Sequence, residues 1–151
     1  MATLQPFPII REGAQGQRVL TLQFLLRARN HTVTADKIFG PRTAAAVRAF
    51  QKERNLAVDG VVGPITWRAL IITVRRNDSG DAVRAAQSEL QFRDEKDGTQ
   101  PAVDGIFGPK TEAAVRSFQT GLQLQVDTPK VVVDGVVGPI TWQGLISGML
   151  H

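Results

Sequence analysis

The stretch DGVVGPITW, residues 59–67, returns letter for letter at 134–142. Nine identical residues written twice in a chain of 151 mark an internal duplication, and the nonapeptide closes a longer unit in each copy. Gly16, Val19, Gln23 and Leu26 are matched 64 positions later by Gly80, Val83, Gln87 and Leu90. DKIFGPRTAAAVRAFQ (36–51) is matched 68 positions later by DGIFGPKTEAAVRSFQ (104–119), and the nonapeptide itself at 75. The offset grows in two steps, which places insertions of turn-forming residues at 94–102 and 127–133. Two copies are too few for a solenoid, so the expectation is two modules, 1–73 and 74–151.

Each copy reads as three helices, giving an all-α fold. Helix one carries Val19, Leu22, Gln23 and Leu26 at helical spacing, with Val83, Ala86, Gln87 and Leu90 as counterparts. Helix two starts at Pro41 and Pro109, because proline at the first helical position forfeits no hydrogen bond, and Val47 with Phe50 (Val115 with Phe118) supplies its core face. Helix three starts at Pro64 and Pro139, followed by Trp67, Leu70 and Ile71 at i, i+3 and i+4.

A shorter echo runs inside each copy: DKIFGPRT, DGVVGPIT, DGIFGPKT and DGVVGPIT again. The Asp accepts hydrogen bonds from its own turn, Gly takes positive φ without penalty, and the apolar pair plugs the core. Gly-Pro then begins a helix, with Thr placed to bond free N–H groups in its first turn. Lys37 replaces the turn glycine, a substitution that costs ~1 kcal/mol in a left-handed position and predicts a differently shaped turn.

Composition narrows the function. A hydrophobic content of 42% suits a globular chain, and no apolar run is long enough to span a membrane. The opening MATLQPFPII lacks the basic and apolar regions of a signal peptide, which leaves a cytosolic protein, another export route, or a piece of a longer precursor. Cysteine is absent, which removes disulfides, thiolate metal sites and cysteine nucleophiles. The net charge of +4 favours an anionic partner or simply keeps the chain soluble.

The order G-x-x-V-x-x-x-Q-x-x-L, D-G-x-F-G-P-x-T-x-x-A-V-x-x-F-Q, V-D-G-x-V-G-P-x-T-W-x-x-L resembles the bacterial peptidoglycan-binding domain family. It is met over Gly16–Leu26, Asp36–Gln51 and Val58–Leu70, and again over Gly80–Leu90, Asp104–Gln119 and Val133–Leu145. The departures are Lys37 and the two insertions. The resemblance implies a three-helix module that holds wall hydrolases on peptidoglycan and does no chemistry itself. Its ligand would be the glycan and stem peptide, its partner a wall hydrolase domain, its place the cell wall or exterior of a bacterium or of a phage-infected one, with no cofactor, nucleic acid or membrane involved.

The residues agree with a binding role. His31 and His151 are the only histidines, so neither a His-paired nucleophile nor a His-rich zinc site is supported. Asp36, Asp59, Asp104 and Asp134 are explained as turn formers. Arg42 and Lys110 are different, because a cation in the first turn of a helix opposes the helix dipole by ~0.3–1 kcal/mol and makes a good anion site there. Peptidoglycan offers stem-peptide carboxylates to such a site. Ligand contact is therefore expected at Asp36, Phe39, Arg42 and Thr43, and at Asp104, Phe107, Lys110 and Thr111, with no catalytic or metal residue. Trp67 and Trp142 offer sugar-stacking rings, but Leu70 and Leu145 on the same face make them core anchors, so the nonapeptide is scaffold. The rival function is a tri-helical DNA-binding protein, favoured by charge but opposed by the apolar third helices PITWRALII and PITWQGLIS.

Overall fold

The computed structural model describes residues 3–93 and 100–149, so most of the first expected insertion, residues 94–99, lies outside the described residues. Six helices are described: α1 Gln17–Ala28, α2 Pro41–Glu53, α3 Pro64–Leu70, α4 Asp81–Arg93, α5 Pro109–Gln125 and α6 Pro139–Ile146. Four of them begin at the expected prolines, each behind a glycine in extended conformation. The first helix of each half instead follows Gly16 or Gly80, whose φ of 112° and 116° no L-residue adopts without strain.

In the first half helix three is shorter than the spacing implied, whereas α6 runs through Ile146, the counterpart of Ile71. α3 ends at Leu70, and Ile71 is already extended, with ψ 145°. From there the chain runs as a strand-like lead into the second half. Val74 and Val137 exchange backbone hydrogen bonds of 3.2 and 2.9 Å, as Ile10 and Val62 do at 3.0 and 2.8 Å in the first half. The lead segment also satisfies the buried indoles. Trp67 Nε1 donates to Pro8 O at 2.9 Å and Trp142 Nε1 to Ile72 O at 2.8 Å, positions 64 residues apart. Both tryptophans are fully buried, which makes them the core anchors expected of them.

The two halves join through α1 and α4. Gln17, at the start of α1, donates to Ser88 near the end of α4 (3.0 Å), while Arg27, at the end of α1, pairs with Asp81 at the start of α4 (3.4 Å). The two helices therefore run antiparallel. Each is buried on two sides, by its own half and by the other. That is why Thr21, Phe24, Leu25, Ala85, Ser88 and Glu89 are buried along with the residues of the expected core stripes. The buried apolar residues of both halves form one continuous core.

Candidate functional site

The helix-starting loops are built around a buried glutamine. Gln23, on α1, donates through Nε2 to Asp36 Oδ1, Ile38 O and Thr43 Oγ1 at 2.9, 3.0 and 3.1 Å. Its Oε1 accepts from the N–H groups of Asp36 and Lys37, both at 3.0 Å. One amide thus holds the turn and the first turn of α2 together. Gln51, Gln87 and Gln119 make the same set with Asp59 and Thr66, Asp104 and Thr111, and Asp134 and Thr141. The sequence carried a signal for this: each of the four loops is preceded by a helix with a glutamine at the same register. That glutamine reads as one more polar residue until the loop folds back over it.

The Asp carboxylates behave as turn formers. Asp36 Oδ1 also accepts from Ile38 N at 3.0 Å, and the Gln23 amide with this N–H holds the carboxyl below its usual range. At Asp59 and Asp104 the turn N–H groups of Val61 and Ile106 are the larger cause, followed by Gln51 and Gln87. The threonines do not cap free N–H groups as expected. The helices have no side-chain cap at their Gly N-termini, and each Thr oxygen is taken by the glutamine. Lys37 has φ 69°, beside 72°, 77° and 75° at Gly60, Gly105 and Gly135, so its turn keeps the common shape and bears the strain.

Of the eight expected contact residues, four face outward. Asp36, Arg42, Asp104 and Lys110 are exposed on the loop and first turn. Phe39 and Phe107 are 1% exposed in the core, and Thr43 and Thr111 are 4% and 2% exposed with their hydroxyls held by the glutamine, so these four shape the loop chiefly from beneath. A groove of about 350 Å³ opens at the start of α2, lined by Thr34, Asp36, Ile38, Pro41, Arg42 and Thr43. Ile38 and its counterpart Ile106 stand 52% and 62% exposed, apolar surface beside the cation. A second groove, about 290 Å³, opens at the start of α6 and is bordered by Lys130, Val132, Asp134 and Ile140. Sequence reasoning assigned that loop to scaffold alone; the inserted segment 127–133 supplies Lys130 and Val132, and the insertion was the available signal. Among the described residues no three His, Asp or Glu side chains gather as metal ligands.

The sequence pattern of the peptidoglycan binding domain family matches residues 15–70 and again 79–145. The chain is 31% identical over 150 residues to the N-acetylmuramoyl-L-alanine amidase CwlL of Bacillus licheniformis, covering 79% of this chain and 42% of the amidase. It is 34% identical over 110 residues to the zinc D-Ala-D-Ala carboxypeptidase of Streptomyces albus G, covering 73% of this chain and 39% of that enzyme. It therefore spans about two fifths of the length of these relatives. Among solved structures, the SleB N-terminal domain is 37% identical over 42% of this chain and 89% of that one, with a TM-score of 0.41. None of these similarities supports the DNA-binding reading, and α3 and α6 turn their tryptophans inward.

Proposed function

Because the chain belongs to the peptidoglycan-binding domain family, we propose that it holds the wall polymer at the helix-starting loops of α2 and α5. The observation that carries this is the groove at the start of α2, where an exposed cation, an exposed isoleucine and a turn carboxylate share one concave surface. Arg42, and Lys110 in the second half, take a stem-peptide carboxylate at the positive helix end. Ile38 and Ile106 cover alanine-sized side chains, and Asp36 and Asp104 accept from peptide N–H groups with the lone pairs their turns leave over. The chain supplies binding rather than bond cleavage, and it acts at the cell wall by keeping a hydrolase on its substrate.

Co-sedimentation with purified insoluble peptidoglycan, with duplex DNA as competitor, tests the reading. Arg42→Glu and Lys110→Glu should each weaken retention. Either single change should remove the ~10²–10⁴ gain that linked sites obtain on a polymer, and the double change should remove the single-site binding that remains. Retention of the folded double variant at the parent level would overturn the site.

A further inference from the structure

The duplication provides its own control for the junction between the halves. At one end of the antiparallel α1–α4 pair stand Arg18, Thr21, Glu89 and Phe92. The positions related to them by 64 residues are Ala82, Ala85, Leu25 and Ala28. At these four positions the architecture is apolar at one end and polar or charged at the other, while Arg27 and Asp81 pair beside the apolar set. At the charged end a groove of about 390 Å³ lies between the halves, bordered by Gln17, Arg18, Glu89, Phe92, Arg93 and Ile146.

Stability alone does not account for the charges. Glu89 is 2% exposed, accepts from Thr21 Oγ1 at 2.7 Å and pairs with Arg93 Nη1 at 2.7 Å. Burial pushes its carboxyl above the usual range, while Arg93 and Thr21 pull it back. A buried pair of this kind is often no more stabilising than apolar side chains of similar volume, and the other copy keeps the arginine, as Arg29, with Leu25 in place of Glu89 and Ala85 in place of Thr21. Nor is Glu89 required to position Arg93. Arg93 donates to the carbonyls of Leu145 and Met149 at the end of α6. Its counterpart Arg29 caps α3 in the same way, donating to Leu70 O at 3.2 Å and Ile71 O at 2.9 Å, with Leu25 where Glu89 would stand. Arg18 is fixed at the rim by bonds to Ile146 O (3.2 Å) and Ser147 O (2.9 Å), yet its side chain remains exposed. Phe92 adds an aromatic ring, 41% exposed, where the other copy has Ala28.

We infer that this groove is a second binding site, distinct from the helix-starting loops, for a short zwitterionic peptide: its ammonium meets Glu89, its carboxylate meets Arg18, and its side chains lie against Phe92 and Ile146. A carboxylate has capacity beyond its two partners here, and the volume is within the range of small-ligand sites. Such a ligand comes either from free stem-peptide ends in the wall or from soluble peptides.

The test is an amide chemical-shift titration of the full chain with D-alanyl-D-alanine, and with the same dipeptide blocked at both ends. Saturable shifts at Gln17, Arg18, Glu89 and Phe92 are expected for the free dipeptide only. Arg18→Ala and Glu89→Leu carry the residues of the other copy, so both should fold with cooperative melts, and each should weaken the dipeptide at least tenfold. The double variant Arg42→Glu/Lys110→Glu should bind it as the parent does. Release of the chain from insoluble peptidoglycan by the dipeptide would assign the ligand to the wall, and binding without release to soluble peptides; either supports the site. No shift at the groove, equal binding of the blocked dipeptide, or unchanged affinity in the folded Arg18→Ala and Glu89→Leu variants would overturn it. Shifts confined to residues 36–43 and 104–111 would overturn it too while leaving the wall-binding loops standing.

Discussion

The guanidinium of Arg84 covers Gly105: a Cβ on that glycine would fall 2.8 Å from Arg84 Cζ. A Cβ on Gly60 would fall 3.0 Å from Arg48 Cζ, and one on Gly135 would fall 3.1 Å from Arg116 Nε and 3.0 Å from Glu112 Cγ. In each case the arginine stands three residues before the clamping glutamine. The fourth loop departs at both places, with Leu20 at the arginine position and Lys37 at the glycine. A side chain on the turn and a guanidinium over it exclude one another, so the two departures belong together.

This pairing predicts non-additive energetics. Gly105→Ala should destabilise by about 1–2 kcal/mol, since alanine is strained at φ 77° and its methyl meets Arg84. In an Arg84→Leu background the cost should fall by at least about 0.5 kcal/mol. Lys37→Gly, which relieves φ strain with no arginine above it, should stabilise by up to about 1 kcal/mol. A chemical-denaturation cycle reads all three, and simple additivity of the Gly105 and Arg84 changes would refute the coupling.

Gln87→Glu changes almost no volume but inverts the clamp, turning a carboxylate oxygen toward Asp104 Oδ1, Ile106 O and Thr111 Oγ1 in place of the N–H groups that bond them at 3.0 Å. The fully buried side chain then carries a charge that faces a carboxylate and a carbonyl where it had donated, so a loss of at least about 3 kcal/mol is expected. Hydrogen exchange should show the loop before α5 opening first. A variant with the parent's melting temperature would mean that the loop holds its shape without the amide.

Trp67→Ala and Trp142→Ala should each cost about 3–5 kcal/mol, because both rings are fully buried and each truncation also leaves a carbonyl without its indole donor. Thermal melts decide. A stable variant that no longer binds the wall would turn the tryptophan from anchor to ligand contact.

Acid should loosen the loops. Asp36, Asp59 and Asp104 titrate below their ordinary value in the folded chain. Their contribution is present above the unfolded value of about 3.9 and is lost as pH falls from there through the lower folded values. Glu89 runs the other way: its folded value is raised, so its contribution is present at low pH and lost as pH rises through that value. Below its unfolded value of about 4.3 Glu89 is protonated in both states and adds no slope, so the three aspartates decide and stability should decline below about pH 4. The triple Asp→Asn variant should show a shallower decline between pH 4 and 2.

The second half should be most stable when cut to begin at Ile71. The indole of Trp142 bonds Ile72 O, so a half beginning at Val74 loses that acceptor. Segments 71–151 and 74–151 should both be helical, the first with the higher melting temperature, and 3–70 mixed with 71–151 should associate through α1 and α4. Equal melting of the two segments would return the boundary to residue 73.

The duplication, the all-α class, the four proline-led helix starts and the buried role of the tryptophans were legible in the sequence, because period, punctuation and side-chain volume are local properties that the chain states wherever it is read. That Arg42 and Lys110 stand in a first turn was legible for the same reason: a cation behind a helix-starting proline needs no neighbour to be conspicuous. Other features depended on partners far along the chain. Phe39, Phe107, Thr43 and Thr111 look available in a loop motif, and only closure over Gln23 and Gln87 turns them inward. Glu89 reads as an exposed helical acid until α1 packs antiparallel against α4 and removes it from water. Burial is decided by which surfaces meet, and two halves with nearly the same sequence met along a face where their sequences differ.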